Sequence, residues 1–100
     1  MKYKLLIQPE ALRELSQAYN WYEKQRTDLG KELIAEIEDC CSSITHDPER
    51  YGFVRGSEHF RRIRVFRFPY MIVYETDEET VIVVAIVHIK QNGFSNNIFH

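Results

Sequence analysis

The chain has 100 residues, of which 44% are hydrophobic and 28% charged, with a formal net charge of -2 at pH 7. That length admits one domain with a thin core, and the composition is that of a folded globular chain rather than a disordered one. The near-neutral balance excludes a general polyanion binder, and the longest apolar run, Val81 to Val87, is too short to span a bilayer.

The charge is divided along the chain. Residues 1–49 carry six Lys/Arg against ten Asp/Glu, a net -4. Residues 50–70 carry six Arg against Glu58 alone, a net +5. Residues 71–100 carry Lys90 against four acids, a net -3. Such a split predicts one local anion-facing surface. Met1-Lys2-Tyr3-Lys4 is followed by only three apolar residues, so no secretory signal is expected. Cys40 and Cys41 are adjacent and have no third cysteine to pair with. Neither a disulfide framework nor a metal-binding spacing follows, and a reducing cytoplasm is the expected compartment.

Lys2 to Ile7 alternates as a short strand, with Tyr3, Leu5 and Ile7 on one face. Gln8-Pro9-Glu10 opens a helix, since proline suits the first helical position and an acid suits the first turn. Its predicted apolar stripe is Leu12, Leu15, Tyr19 and Tyr22. Thr27-Asp28-Leu29-Gly30 breaks that helix, and Asp28 is expected to cap a second one. The second stripe is Leu33, Ile37, Cys40 or Cys41, and Ile44, and His46-Asp47-Pro48 ends it. A loop with Gly52 and Gly56 leads to three strands, about 59–67, 70–76 and 80–89. Asp77-Glu78-Glu79 makes the last two a hairpin. Val81 to Val87 lacks alternation, as a strand covered on both faces or lying centrally does.

This order, β-α-α-β-β-β, predicts an α+β fold: a helical hairpin on one face of an antiparallel-rich twisted sheet, the other face exposed and concave. One domain is expected over 1–92, with a loosely ordered tail over 93–100. Arg61, Arg62, Arg64 and Arg67 fall within seven residues, interleaved with Ile63, Val65 and Phe66. Strict alternation puts Arg62, Arg64 and Phe66 on one side and Ile63, Val65 and Arg67 on the other. Arg67 breaks the apolar pattern, so a bulge or strand end near Phe66 is expected. Arginine without lysine suits bidentate binding of carboxylate or phosphate, although charge on an edge strand also resists aggregation. Trp21 and Tyr22 suit core packing. His88 reads as a strand-end histidine, and the four histidines show no metal spacing.

The layout resembles the RelE/ParE superfamily of toxins from type II toxin–antitoxin pairs, which includes plasmid stabilisation proteins. The resemblance rests on YKLLIQPEALREL, YNWYEKQ, ELIAEIEDCCSSI, DPERYG, FRRIRVFRFPYMIVYE and VVAIVHIKQN, and covers about residues 2–92. It implies a cytoplasmic toxin neutralised by a cognate antitoxin, with no cofactor or metal, and admits a homodimer or a heterotetramer with the antitoxin. Phe68-Pro69-Tyr70, Tyr74 and the apolar last strand ending in His88 and Lys90 look like the ParE branch, which implies poisoning of DNA gyrase. The RelE branch implies ribosome-dependent cleavage of mRNA, for which His88, Arg64 and Arg61 are the catalytic candidates. The resemblance also offers a third reading, a non-toxic module that only binds the antitoxin. The candidates for binding target or antitoxin are Arg55, Arg61, Arg62, Arg64, Arg67, Tyr70, Tyr74, Lys90, Trp21 and Tyr22.

Overall fold

The computed structural model describes residues 2–90; the domain limit expected at 92 and the tail expected over 93–100 lie outside them. The elements are β1 (Lys4–Ile7), α1 (Pro9–Gln25), α2 (Leu29–His46), a 3-10 turn (Pro48–Arg50), β2 (Arg61–Arg64), β3 (Tyr70–Asp77) and β4 (Thr80–His88). The strands form one mixed sheet in the order β1-β4-β3-β2. β1 runs parallel to β4, while β4, β3 and β2 form an antiparallel meander. Both helices pack on one face of the sheet, so the fold is α+β, and no helix among the described residues is long and apolar enough to cross a membrane.

α1 starts with Pro9 at its first turn and Glu10 beside it, and Gln8 supplies no side-chain cap. Its inward stripe is Ala11, Leu15, Ala18 and Tyr22. The expected stripe was one position off at its start, for Leu12 is 49% exposed. Small residues at 11 and 18 let the helix backbone approach the sheet, a packing preference invisible to a count of large apolar residues. α2 buries Leu33, Ile37, Cys40, Cys41 and Ile44, so both cysteines enter the core.

Asp28 does not cap α2. Its φ is 71°, in the left-handed region, and its side chain makes no capping bond. Instead Glu23, near the end of α1, accepts the amides of Gly30 (2.8 Å), Lys31 (3.3 Å) and Asp28 (3.3 Å). The preceding helix thus satisfies the amides that open α2.

β4 lies inside the sheet, and a register shift explains its missing alternation. Val73 pairs with Ala85 but Tyr74 pairs with Val83, leaving Val84 as the extra residue of a bulge. Val81 and Val83 before the bulge, and Ile86 after it, therefore all reach the helix-packed core. The other sheet face is not bare. Val54, Val73 and Val87 are buried outside the helix-packed cluster. The loop before β2 is tied to that strand by the Phe53–Arg61 bridge and by the Arg62 amide, which donates to the Gly52 carbonyl at 3.0 Å.

The strand expected over 59–67 is regular only from Arg61 to Arg64. Arg67, at φ 73°, turns the chain, so the break anticipated near Phe66 is a strand end.

Candidate functional site

Two arginines of the segment, Arg61 and Arg62, are turned on the protein's own backbone. The Arg61 guanidinium donates to the Tyr51 carbonyl at 2.6 Å and the Glu49 carbonyl at 3.3 Å, and stacks 4.0 Å over the Phe53 ring. Arg62 donates to the Phe53 carbonyl at 3.3 Å. Both hold the loop of 49–53 against β2. Arg67 binds Glu32 at 2.6 Å and Glu36 at 3.5 Å, and Glu32 also pairs with Arg26. The hydrogen bonds from Arg67 and then Arg26 hold the Glu32 carboxyl below the ordinary carboxylate range. That network anchors the β2–β3 loop to α2. Arg55 and Arg64 are exposed, and neither guanidinium has a partner among the described residues. Phe66, between Arg64 and Arg67, is 72% exposed. It was not a candidate from the sequence, although an aromatic flanked by two arginines was a readable signal.

A second feature is a cleft of about 380 Å³ between α1 and the C-terminal half of β4, lined by Glu14, Gln17, Ala18, Trp21, Tyr22, Tyr70, Ile86 and His88. β1 pairs with β4 only as far as Val83. Beyond it α1 flanks the strand, and Glu14 Oε1 accepts the Ile86 amide at 2.8 Å. The rings stand edge to face in sequence: Trp21–Tyr22 at 4.9 Å, Tyr22–Tyr70 at 6.3 Å and Tyr70–His88 at 5.1 Å. Burial raises the Tyr22 and Tyr70 phenols above their ordinary value, so both remain protonated donors. The Lys90 amide donates to His88 Nδ1 at 3.1 Å, which places the neutral ring's proton on Nε2. Glu14 was also missed. Its signal was position: three residues after Ala11 and four before Ala18, it lies along the inward stripe of α1.

The structure brings Trp21, Tyr22, Tyr70 and His88 together, with Lys90 beside them in the chain. Trp21 is 57% exposed rather than a core residue. Tyr74 leaves the group: it is fully buried, its hydroxyl donates to the Pro48 carbonyl at 2.7 Å, and burial pushes its phenol up to about 12. No outside partner can stack on that ring. The three residues of the nuclease reading also separate. Arg64 pairs with Met71, which pairs with Val87, whereas Tyr70 pairs with His88. By alternation Arg64 and His88 project from opposite faces. Arg61 shares the helix-side face, but its register partner Tyr74 lies four residues from Tyr70 along β3, about 13 Å. Among the described residues no cluster of three or more His, Cys, Asp or Glu could hold a metal ion.

The sequence profile of the family described as "ParE toxin of type II toxin-antitoxin system, parDE" matches residues 5–93. No curated protein matches the chain. Among solved structures, the chromosomal ParDE system of P. aeruginosa superposes with a TM-score of 0.76 at 12% identity, covering 87% of this chain and 96% of that one. A doubly substituted E. coli toxin RelE in the free state gives 0.70 at 17% identity, covering 96% and 93%. The toxin–antitoxin complex RelBE2 of Mycobacterium tuberculosis gives 0.64 at 20%, covering 88% and 92%. At these identities the likeness is one of fold.

Proposed function

Because the chain belongs to the ParE toxin family of type II toxin–antitoxin systems, we propose that it arrests growth in the cytoplasm by binding and poisoning DNA gyrase, that a cognate antitoxin neutralises it, and that it assembles as a homodimer or as a heterotetramer with the antitoxin. The observation that carries this reading is the dispersal of the would-be catalytic set. Metal-free RNA cleavage needs a base, an acid and a phosphate-binding cation at one point. Here Arg64 and His88 project from opposite faces, and Arg61 is committed to the Tyr51 carbonyl. A poison needs only a binding surface, which Arg55, Arg64 and Phe66 offer on the outside of the molecule.

One observation favours ribosome-dependent mRNA cleavage as a second reading. Glu14, His88 and Tyr70 share one cleft, and Lys90 follows in the chain, so acid–base groups are present without a committed arginine. The test is to express the chain alone and to follow gyrase cleavage complexes together with new mRNA 5′ ends. Arrest with accumulated cleavage complexes and no codon-phased cuts is the expected result. Codon-phased cuts, abolished by His88→Ala, would establish the nuclease. Continued growth would mark a module that only binds its antitoxin.

A further inference from the structure

The cleft beside Trp21 has a chemistry opposite to that of the arginine segment. Its walls are three aromatic rings and the His88 imidazole, and Glu14 is the acid among its lining residues, which include neither Lys nor Arg. Only Oε1 of Glu14 is used, by the Ile86 amide. Oε2 has no hydrogen bond or ion pair among the described residues, although Glu14 is half-buried. A partly desolvated carboxylate with a spare oxygen favours a cation. The His88 ring accepts the Lys90 amide at Nδ1. Lys90 follows two residues later and is exposed; its amide, not its ammonium, is the group bonded to His88.

We propose that this cleft receives an arginine side chain from a partner polypeptide. Aromatic faces attract a cation through the ring quadrupole. A planar guanidinium can stack on such a face while forking onto a carboxylate, which an ammonium cannot do as well. A phosphate or carboxylate ligand would meet Glu14 and be repelled. The polypeptide source follows from the sheet: among the described residues no strand flanks β4 beyond Val83, where β1 stops, so α1 and that edge form a channel along which a chain can lie. The site is distinct from Arg55, Arg64 and Phe66, and the proposal holds whichever target the toxin has.

Trp21 is the single tryptophan of the chain and stands in the cleft, so its emission reports occupancy directly. The full chain is titrated with a capped Gly-Arg-Gly peptide and with the citrulline analogue, a neutral isostere. The arginine peptide is expected to shift Trp21 emission saturably, and the citrulline peptide to bind about tenfold more weakly. Glu14→Gln keeps an oxygen for the Ile86 amide, so it should fold normally by circular dichroism yet bind the arginine peptide about fivefold more weakly. His88 and Tyr70 ring resonances should move in the same titration. Equal responses to the two peptides, an unsaturable response, or unchanged affinity in Glu14→Gln would each overturn the proposal.

Discussion

Glu23 Oε1 accepts the backbone amide of Gly30 at 2.8 Å, so a carboxylate from the end of α1 serves as the cap of α2. The bond fixes the turn of the helical hairpin and, with it, the placement of α2 and its Glu32 and Glu36 anchors for Arg67. Replacing Glu23 by Ala should cost about 1–2 kcal/mol, the scale of a lost helix cap, with Tm falling by about 4–8 °C per kcal/mol. Asp28→Gly should leave stability within about 0.5 kcal/mol or raise it, because the position is left-handed and the Lys31 pair is exposed. Thermal unfolding of the two variants checks the assignment; a larger loss in Asp28→Gly than in Glu23→Ala would reverse it.

Gly30 is also a point of close approach between the helices. A Cβ there would lie 2.7 Å from the Tyr19 carbonyl oxygen and 2.8 Å from Glu23 Cγ and Tyr19 Cδ1. One of these atoms is backbone, so the hairpin must open to admit a methyl group. Gly30→Ala should destabilise by about 1–3 kcal/mol despite alanine's higher helix propensity. Chemical denaturation would detect it, and a stabilised variant would show the contact to be looser than described.

Tyr74→Phe removes the hydroxyl that reaches the Pro48 carbonyl and leaves a buried acceptor unsatisfied. The expected cost is about 1–3 kcal/mol. Since Tyr74 has no exposed surface, growth arrest should persist wherever the variant still folds. Loss of arrest at unchanged stability would return Tyr74 to the functional surface.

Arg61 and Arg64 should behave differently although three residues apart. Arg61→Ala strips two carbonyl bonds and the contact with Phe53, and should cost about 1–2 kcal/mol. Arg64→Ala touches no such contact and should be neutral within about 0.5 kcal/mol. If the exposed arginine grips the target, Arg64→Ala weakens growth arrest at full stability. Arrest unaffected by Arg64→Ala would remove that residue from the target surface.

Burial pushes the Cys40 and Cys41 thiols from 9.0 up to about 11, and Tyr74 from 10.0 up to about 12. All three folded-state values are raised above those of the unfolded chain. Below pH 9 each group is protonated in both states and stability is complete. Above it the unfolded chain releases protons that the folded chain retains, so stability falls from about pH 9 toward 12. Urea midpoints at mildly and strongly alkaline pH should show that decline. Native Cys40 and Cys41 should also resist alkylation until the chain unfolds. Flat midpoints through this range would contradict the burial of the thiols.

Much of the fold was legible from local signals. Pro9 after Gln8, His46-Asp47-Pro48 and the acidic hairpin turn mark element ends because their backbone preferences act within a few residues. The start of α1, the end of α2 and the β3–β4 turn follow from them, whereas the strand expected over 59–67 is regular only from Arg61 to Arg64. The inward face of α1 was not legible, since Ala11 and Ala18 carry little hydrophobic signal and matter only when a sheet lies against them. The bulge at Val84 was equally hidden, because its signature is a pairing partner on β3. Of the candidate residues, Arg64 lies on the surface, Trp21 is exposed where core packing was expected of it, and Tyr74 is buried.

The order of elements, the α+β class and the concentration of arginine in residues 50–70 were therefore determined by the sequence itself, through periodicity and turn chemistry that operate over neighbouring positions. Which arginines are spent on the protein's own carbonyls, which carboxylate caps α2, and the meeting of Glu14 with Trp21, Tyr70 and His88 were decided only in three dimensions. The reason is physical: these contacts join groups from 7 residues apart, as Glu23 and Gly30 are, to 72 apart, as Glu14 and Ile86 are, and only the strand register and the helix crossing bring them within reach of a hydrogen bond.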